Sequence, residues 1–401
     1  MKIKATSCKE MVKTSELACI KNFTALFDSV MGQYKKGDEE DTEGFKSFIH
    51  RIFVFALIWS VGATLREESR RELDLIIRDL DPIFPHANTV FEYYVHPEKK
   101  DFSSWDDYLA GYMKPAQGTA FHDIYVPTVD TIRYREVMNH LLRINQHVMF
   151  VGNSGVGKTK RIMTALEALP EDKIMTIPIN FSAGTSADAT QDIIMNGYEE
   201  RARKWRPKGA RAKAIAFVDD FNMPRKEEYG AMPPIELIRQ VMDTGFWYNR
   251  KKLIPEHMLD LEFIAAMGEP GGGRQELTER IVSNFHLICF TFPSEGVMKR
   301  IYETICECKF NGFYEDIRVL IDQLPIATIQ VFSQVKQMFL PTPALIHYQF
   351  NMRDISKVFQ GIFKADKSFY DTKEQMVKLW GHEIQRVFQD RLAQIPGVVE
   401  D

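Results

Sequence analysis

The chain is 401 residues long, 45% hydrophobic and 26% charged; at about 150 residues per domain it has room for two or three cores, and a disordered, collagenous or coiled-coil chain is excluded. Lys and Arg number 51 against 55 Asp and Glu, a net charge of -4, so no bulk attraction draws it to nucleic acid or to an anionic membrane. Its five cysteines, Cys8, Cys19, Cys289, Cys306 and Cys308, are odd in number and lack CxxC spacing, which argues for a reducing compartment and against a disulfide framework or a zinc site.

The opening MKIKATSCKEMVKTSE has no apolar core of the kind a signal peptide needs, which argues against secretion. Residues 1 to about 80 predict helices, with apolar positions at three- and four-residue spacing. Between Arg51 and Arg66 lie 14 uncharged residues, IFVFALIWSVGATL; a membrane-spanning helix needs about 20, so a buried helix of a soluble domain is expected. The acidic GDEEDTEG at 37–44 reads as a solvated loop. From Asp81 to Pro127 the chain is rich in Pro and aromatics without a sustained period, and reads as a connector. Five short apolar runs follow, at 147–152, 173–182, 214–220, 261–268 and 285–293, alternating with amphipathic helices. That alternation predicts an α/β domain with a five-stranded parallel sheet and crossover helices. After Pro293 the pattern is helical, including LPIATIQVFSQVKQMF and a segment from about Asn351 to Phe363.

The sharpest motif is Gly152-Asn153-Ser154-Gly155-Val156-Gly157-Lys158-Thr159, a GxxxxGK[ST] phosphate loop set between the strand HVMFV and the helix KRIMTALEAL. Its glycines let backbone N–H groups turn toward phosphate oxygens, Lys158 can reach the β- and γ-phosphates, and the Thr159 hydroxyl can ligate Mg²⁺. The alternative, a chance glycine-rich turn, does not account for strand, loop and helix falling in the required order. A magnesium nucleotide also needs a carboxylate at the end of a buried strand, and AIAFVDD supplies Asp219 to face the metal and Asp220 to polarise an attacking water.

Arg353 opens the last strongly amphipathic helix, whose apolar face is Ile355, Val358, Phe359, Ile362 and Phe363. A cation there opposes the helix dipole by roughly 0.3–1 kcal/mol, which makes sense if it reaches an anion such as a γ-phosphate; an exposed Arg neutralised by Asp354 is the other reading, and the sequence leaves both open. RARKWRPKGARAK at 201–213 carries seven basic residues, one Trp and no acid. Glu199 and Glu200 precede it and Pro207 and Gly209 interrupt it, so a solvated helix end and loop is expected in preference to a nucleic-acid patch. GEPGGGR at 268–274 lacks GxGxxG spacing and reads as a mobile loop beside the nucleotide.

With VGNSGVGKT, INFSAGTSA, FVDDFNMPRKEEYGAMPPIELIRQVMDTGFWYNRKK, AAMGEPGGGR and HYQFNMRDISKVFQGI in view, the chain from about Thr89 onward resembles the third AAA+ module of a dynein heavy chain. The earlier FVFALIWSVGATLREESRRELD is similar to the helical end of the second module. The resemblance implies a P-loop AAA+ ATPase fold: a lid end of the preceding module over 1–88, a connector over 89–128, the large α/β subdomain over 129–293 and a C-terminal helical lid over 294–401. It implies ATP or ADP with Mg²⁺ as ligands, Arg353 as the lid arginine called sensor two, and Arg280 as an arginine finger pointing into the preceding module's site. Asp220 stands where many such ATPases have Glu, and Gly268 where other modules have a sensor-one Asn. The VDDFNMP and GEPGGGR wording resembles axonemal chains more than cytoplasmic ones.

The expected function is thus an ATP-binding, slowly hydrolysing module that allosterically gates a microtubule motor of cilia and flagella, weak or inactive alone. Expected partners are the neighbouring AAA+ modules and, through other parts of the heavy chain, intermediate and light chains and microtubules, with neither nucleic acid nor membrane. The alternatives are a structural module whose nucleotide never turns over, and an unrelated P-loop ATPase acting on nucleic acid through 201–213.

Overall fold

A computed structural model describes residues 8–33, 42–85, 87–109, 116, 118–342, 345 and 347–392. The chain divides into two compact units: Met1–Asp107, Val129–Asn153 and Gly157–Phe292 form the first, and Tyr108–Thr128, Ser154–Val156 and Pro293–Asp401 the second.

The first unit is built on a five-stranded sheet. Strands β3 (Val148–Val151), β4 (Ile174–Asn180), β7 (Lys213–Asp219), β10 (Leu261–Met267) and β11 (His286–Cys289) lie in the order β11-β3-β10-β7-β4, and every pairing is parallel. The expected five-stranded parallel sheet is therefore present. Its inner strands read as unbroken apolar runs because helices cover both faces of such a sheet; all four residues of β3 and five of the seven in β7 are buried. Register brings the C-terminal ends level: Val151 sits opposite both Met267 and Cys289, and Asp219 opposite Asn180. Loops leaving these ends converge, as ligand-binding loops of open α/β sheets do. The crossovers are α4 (Val129–Arg143), which precedes β3, α5 (Lys158–Glu167), α6 (Ala187–Met195) and α7 (Pro233–Thr244). The outer strand β4 carries the exposed Pro178.

Three N-terminal helices, α1 (Glu16–Met31), α2 (Thr42–Ser60) and α3 (Glu67–Leu80), belong to this same unit. Helix α2 extends well before the apolar run, so Glu43–Thr64 is by length and composition long enough to cross a membrane, unlike the 14-residue stretch alone. Yet 61% of that window is buried inside the protein, with Phe48, Ile52, Phe55 and Trp59 in the core. Trp59 packs edge-on against Phe91 and Tyr134. Beside it, the buried Arg70 donates from Nη2 to the Cys289 carbonyl at 2.6 Å and from Nη1 to the Tyr134 hydroxyl at 3.3 Å. These bonds fasten α3 to the end of β11. Of the acidic stretch 37–44, residues 37–41 lie outside the described residues, and α2 begins at Thr42.

Two segments differ from expectation. The aromatic run after Asp81 is not simply irregular: β1 (Tyr93–Val95) pairs with β2 (Phe102–Ser104), and the buried Trp105 stacks on Tyr94 at 4.7 Å. The basic stretch is not a helix end but a hairpin, β5 (Tyr198–Arg201) against β6 (Lys204–Pro207). Ala202 and Arg203 turn it with φ of 51° and 63°, the two left-handed residues a tight hairpin requires but without the usual Asn or Gly. Three of its cations are engaged within the same unit: Arg201 pairs with Glu199, Arg206 with Asp260 at 3.3 Å, and the Lys208 amine bonds the Asn196 carbonyl at 2.7 Å. A shorter hairpin, β8 (Phe246–Tyr248) with β9 (Pro255–His257), follows α7.

Titration of the first unit follows from its burial. Burial holds His140, His147 and His286 near a pKa of about 4; Arg143 adds to this at His140, and Lys21 and Lys213 at His147. At His286 the bond donated by Nε2 to the Trp59 carbonyl, 2.7 Å, works the other way. Burial pushes Glu262 up to about 7, against the pull of Lys213 at 2.6 Å. A ring kept neutral in the fold while the unfolded chain binds a proton near 6.5 loses stability as pH falls from 6.5 toward 4, about 2 kcal/mol for one such group at pH 5. Glu262, protonated in the fold and ionised in the unfolded chain between its two pKa values, gains stability over that descent. Three rings outweigh one carboxyl, so the melting temperature should be lower at pH 5 than at pH 7, and His286→Leu should narrow the gap. Thermal melts followed by circular dichroism check this; a higher melting temperature at pH 5 would contradict it.

The second unit is helical: α9 (Glu295–Phe310), α10 (Glu315–Ile321), α11 (Leu324–Met338), α12 (Met352–Ile362) and α13 (Lys373–Val387). Its core stacks Tyr302 on Phe359 at 4.5 Å, and Trp380 Nε1 donates to Thr328 Oγ1 at 2.9 Å, joining α13 to α11. A cavity of about 520 Å³ lies between α9 and α10, lined in part by Cys306, Cys308, Arg318 and Asp322; it holds no phosphate-loop residue.

Candidate functional site

The loop from Gly152 to Thr159 leaves β3 and enters α5 with the backbone that its spacing predicts. Gly155 and Gly157 both take left-handed conformations, φ 80° and 81°, which a side chain disfavours. Gly152 is glycine for a steric reason: a Cβ there would meet the Phe290 carbonyl oxygen at 2.8 Å. Gly157 is the N-cap of α5, and a helix N-terminus, where the first N–H groups have no intrahelical acceptors, favours an anion. The Lys158 amine folds back onto its own loop, donating to the Gly152 and Asn153 carbonyls at 2.7 and 2.9 Å. Asn153 and Ser154 lie along the bend; Val156 is buried.

At the second residue of the helix, Thr159 Oγ1 donates to Asp219 Oδ2 at 2.6 Å. The two residues are sixty positions apart and belong to separate motifs; the parallel sheet, by running β3 and β7 on either side of β10, brings their strand ends together. Asp219 Oδ1 also accepts from the Asp220 amide at 3.0 Å. A hydroxyl and a carboxylate so placed are the oxygen donors a hard cation such as Mg²⁺ takes, with phosphate oxygens and waters completing the shell. The donor set therefore fits a magnesium nucleotide.

Asp220 adopts φ 50°, an uncommon conformation for a side-chain-bearing residue, and such departures cluster at functional sites. Its Oδ1 lies 3.7 Å from Arg274 Nη2. Arg274 closes the GEPGGGR segment, where the sequence offered a loop and no role for the arginine. The segment is held by Asn222, fully buried, whose Nδ2 donates to the Gly268 carbonyl at 2.9 Å and the Gln275 carbonyl at 3.2 Å. Asn222 and Arg274 are the residues that sequence reasoning missed. Their contacts run between segments 46 to 54 positions apart, and no local period marks them.

Arg280 sits in the single-turn helix α8 (Glu279–Val282), with its side chain 70% exposed. Its charge partner is Glu236 of α7 at 3.9 Å, not a group of the phosphate loop. Arg353, in the second unit, is exposed in the first turn of α12. Asp354 does not neutralise it: that carboxylate is buried, accepts from the Asn351 amide at 3.0 Å as half of a capping box, and pairs with Arg391 at 2.8 Å and Lys357 at 3.4 Å. The Asp354 carboxylate is thus engaged by partners other than Arg353.

Comparison with known proteins agrees with this geometry. A family model described as "P-loop containing dynein motor region" matches residues 113–293, "Dynein heavy chain AAA lid domain" matches 1–107, and "Dynein heavy chain, ATPase lid domain" matches 301–396. The flagellar inner arm I1 complex dynein-1-beta heavy chain of Chlamydomonas reinhardtii is 37% identical over 97% of this chain. Dynein axonemal heavy chain 2 is 39% identical in Mus musculus and 38% in Homo sapiens, over 98% and 97% of the chain. The chain spans 9% of the length of each of these three relatives.

Proposed function

The chain belongs to the dynein heavy chain family, and from that premise we propose that it is a nucleotide-binding AAA+ module, the third of its ring, preceded by the lid helices of the second. Its ligand is ATP or ADP with Mg²⁺. The observation that carries this reading is the 2.6 Å bond between Thr159 and Asp219 at the mouth of a glycine loop whose backbone is already turned for phosphate. Gly152 to Thr159 would cradle the phosphates, with Lys158 exchanging its carbonyl partners for phosphate oxygens. Thr159 and Asp219 would hold the cation, which when bound supplies charge neutralisation at the terminal phosphates.

In this proposal Asp220 orients a water, Arg353 contacts the nucleotide from the lid, and Arg280 serves the preceding module. Exposure of both arginines supports reach toward a ligand. The module acts as a slowly turning gate in an axonemal motor: nucleotide bound here biases ring geometry, and thereby microtubule affinity elsewhere in the heavy chain. The neighbouring AAA+ modules are its direct partners, while intermediate chains, light chains and microtubules engage other parts of the heavy chain. A second reading, a module that holds nucleotide without turnover, is favoured by one observation: the carboxylate of Asp220 faces Arg274.

Isothermal titration of the 401-residue chain with ATP tests the site. MgATP should bind, chelation of Mg²⁺ should weaken binding about tenfold or more, and Asp219→Ala should make affinity indifferent to Mg²⁺. Mg²⁺-dependence that survives intact in Asp219→Ala would remove Asp219 from the metal site. Radiolabelled ATP retained in the full heavy chain then separates the two readings, since recovery of ATP alone after many motor cycles excludes gating by hydrolysis.

A further inference from the structure

We propose that Arg274 is the residue that distinguishes a triphosphate from a diphosphate in this site, an inference that rests on the nucleotide-binding reading above and adds a specificity determinant to it. Three observations place it there. First, Arg274 occupies space that only a glycine at 268 leaves open: a Cβ on Gly268 would lie 2.4 Å from Arg274 Nε, 2.6 Å from Cδ and 2.7 Å from Cζ. Gly268 has no positive φ to require it, so the close approach of the Arg274 side chain is what glycine serves here. Gly268 directly follows β10, the strand lying between β3 and β7, which puts the arginine at the same end of the sheet as the phosphate loop and Asp219.

Second, the side chain is held by a built support and not by chance packing. Asn222 bonds the carbonyls at both ends of the segment, Gly268 and Gln275, and the Gln275 amide returns a bond to the Asn222 carbonyl at 2.9 Å. An isolated bridge between Gly271 and Arg274 closes the turn itself. The backbone that carries Arg274 is thereby tied to the residue two positions after Asp220.

Third, the guanidinium is incompletely satisfied. Nε is buried without a hydrogen-bond acceptor among the described residues, and Nη2 reaches Asp220 only at 3.7 Å, beyond a normal hydrogen bond. A planar fork with donors to spare, next to the carboxylate pair that would flank a bound cation, suits a phosphate oxygen better than a single distant carboxylate. A terminal phosphate would compete for the same donors. Binding of the triphosphate would then draw the guanidinium from Asp220 and leave that carboxylate open to water, whereas a diphosphate would leave the pair as it stands.

The test compares affinities for ATP and ADP in the 401-residue chain, measured with Mg²⁺ for wild type, Arg274→Ala and Gly268→Ala, with thermal melts to establish folding. Arg274→Ala should lose about tenfold or more in ATP affinity and less than about twofold for ADP. Gly268→Ala keeps the arginine but pushes it from its slot, and should show the same selective loss; Arg274→Lys should recover only part, because an ammonium lacks the fork. If wild type binds neither nucleotide, the phosphate-loop reading falls and this inference with it. If wild type binds both and the folded variants keep its ratio of ATP to ADP affinity, the inference about Arg274 alone is overturned.

Discussion

Replacing Lys158 with Ala should abolish nucleotide binding, a loss of at least about a hundredfold in affinity, while leaving the melting temperature within a few degrees of wild type. The two halves of this expectation have separate causes. The amine now donates to the Gly152 and Asn153 carbonyls, in a loop where Lys158 itself is only partly buried; losing bonds that water can replace costs little. A phosphate chain, by contrast, needs that charge, because Lys158 is the cation of the loop itself, whose remaining donors are backbone amides and uncharged side chains, while Asp219 and Asp220 beside it are acidic. Titration calorimetry on the variant, with a thermal melt beside it, reads both. A variant that binds ATP as wild type does would remove Lys158 from the site; one that binds nothing because it has unfolded would show that Lys158 holds the loop rather than the ligand.

The largest effect on stability is expected at Arg70. Its guanidinium is buried, lies 4.9 Å above the Phe91 ring, and bonds the Cys289 carbonyl and the Tyr134 hydroxyl. Arg70→Ala removes a charged donor from a buried carbonyl and opens a cavity between α3 and β11, together about 3–5 kcal/mol. The buried charge itself opposes folding, and its bonds run to two carbonyls and a hydroxyl in place of a carboxylate, so Arg70→Met should recover part of the loss by restoring volume without the desolvation cost. Urea unfolding of the three proteins decides the matter. An Ala variant within 1 kcal/mol of wild type would mean that the charge had cancelled its own bonds.

How much of this was legible in the sequence depended on whether the signal was local. The five strands announced themselves because a parallel sheet covered on both faces turns each into a short apolar run, and the eight residues from Gly152 to Thr159 carry their chemistry in their own spacing. Asp219 could be paired with Thr159 before any geometry, since a strand ending in two acids has few other uses beside a phosphate loop. The hairpin at 198–207 was hidden for the opposite reason: Ala202 and Arg203 adopt left-handed backbone that their side chains disfavour, so tertiary context fixes the turn against propensity. Arg274 was hidden because its place is defined by an absent side chain six residues earlier. At Arg353 adjacency left two readings open, because the neighbouring Asp354 is engaged by a helix cap and by Arg391, contacts that no reading of nearest neighbours supplies.

The five-stranded sheet ends in two unlike borders. On one, Pro178 of β4 can donate no hydrogen bond outward, a natural guard against recruitment of another strand. On the other, β11 relies on company: the Cys289 thiol reaches the Thr64 carbonyl, and His286 reaches Trp59. An expression clone trimmed to start after residue 107 would keep the whole nucleotide loop yet strip that flank bare, and the product should precipitate through it. The smallest soluble version of this site is thus longer than the domain that carries its motif.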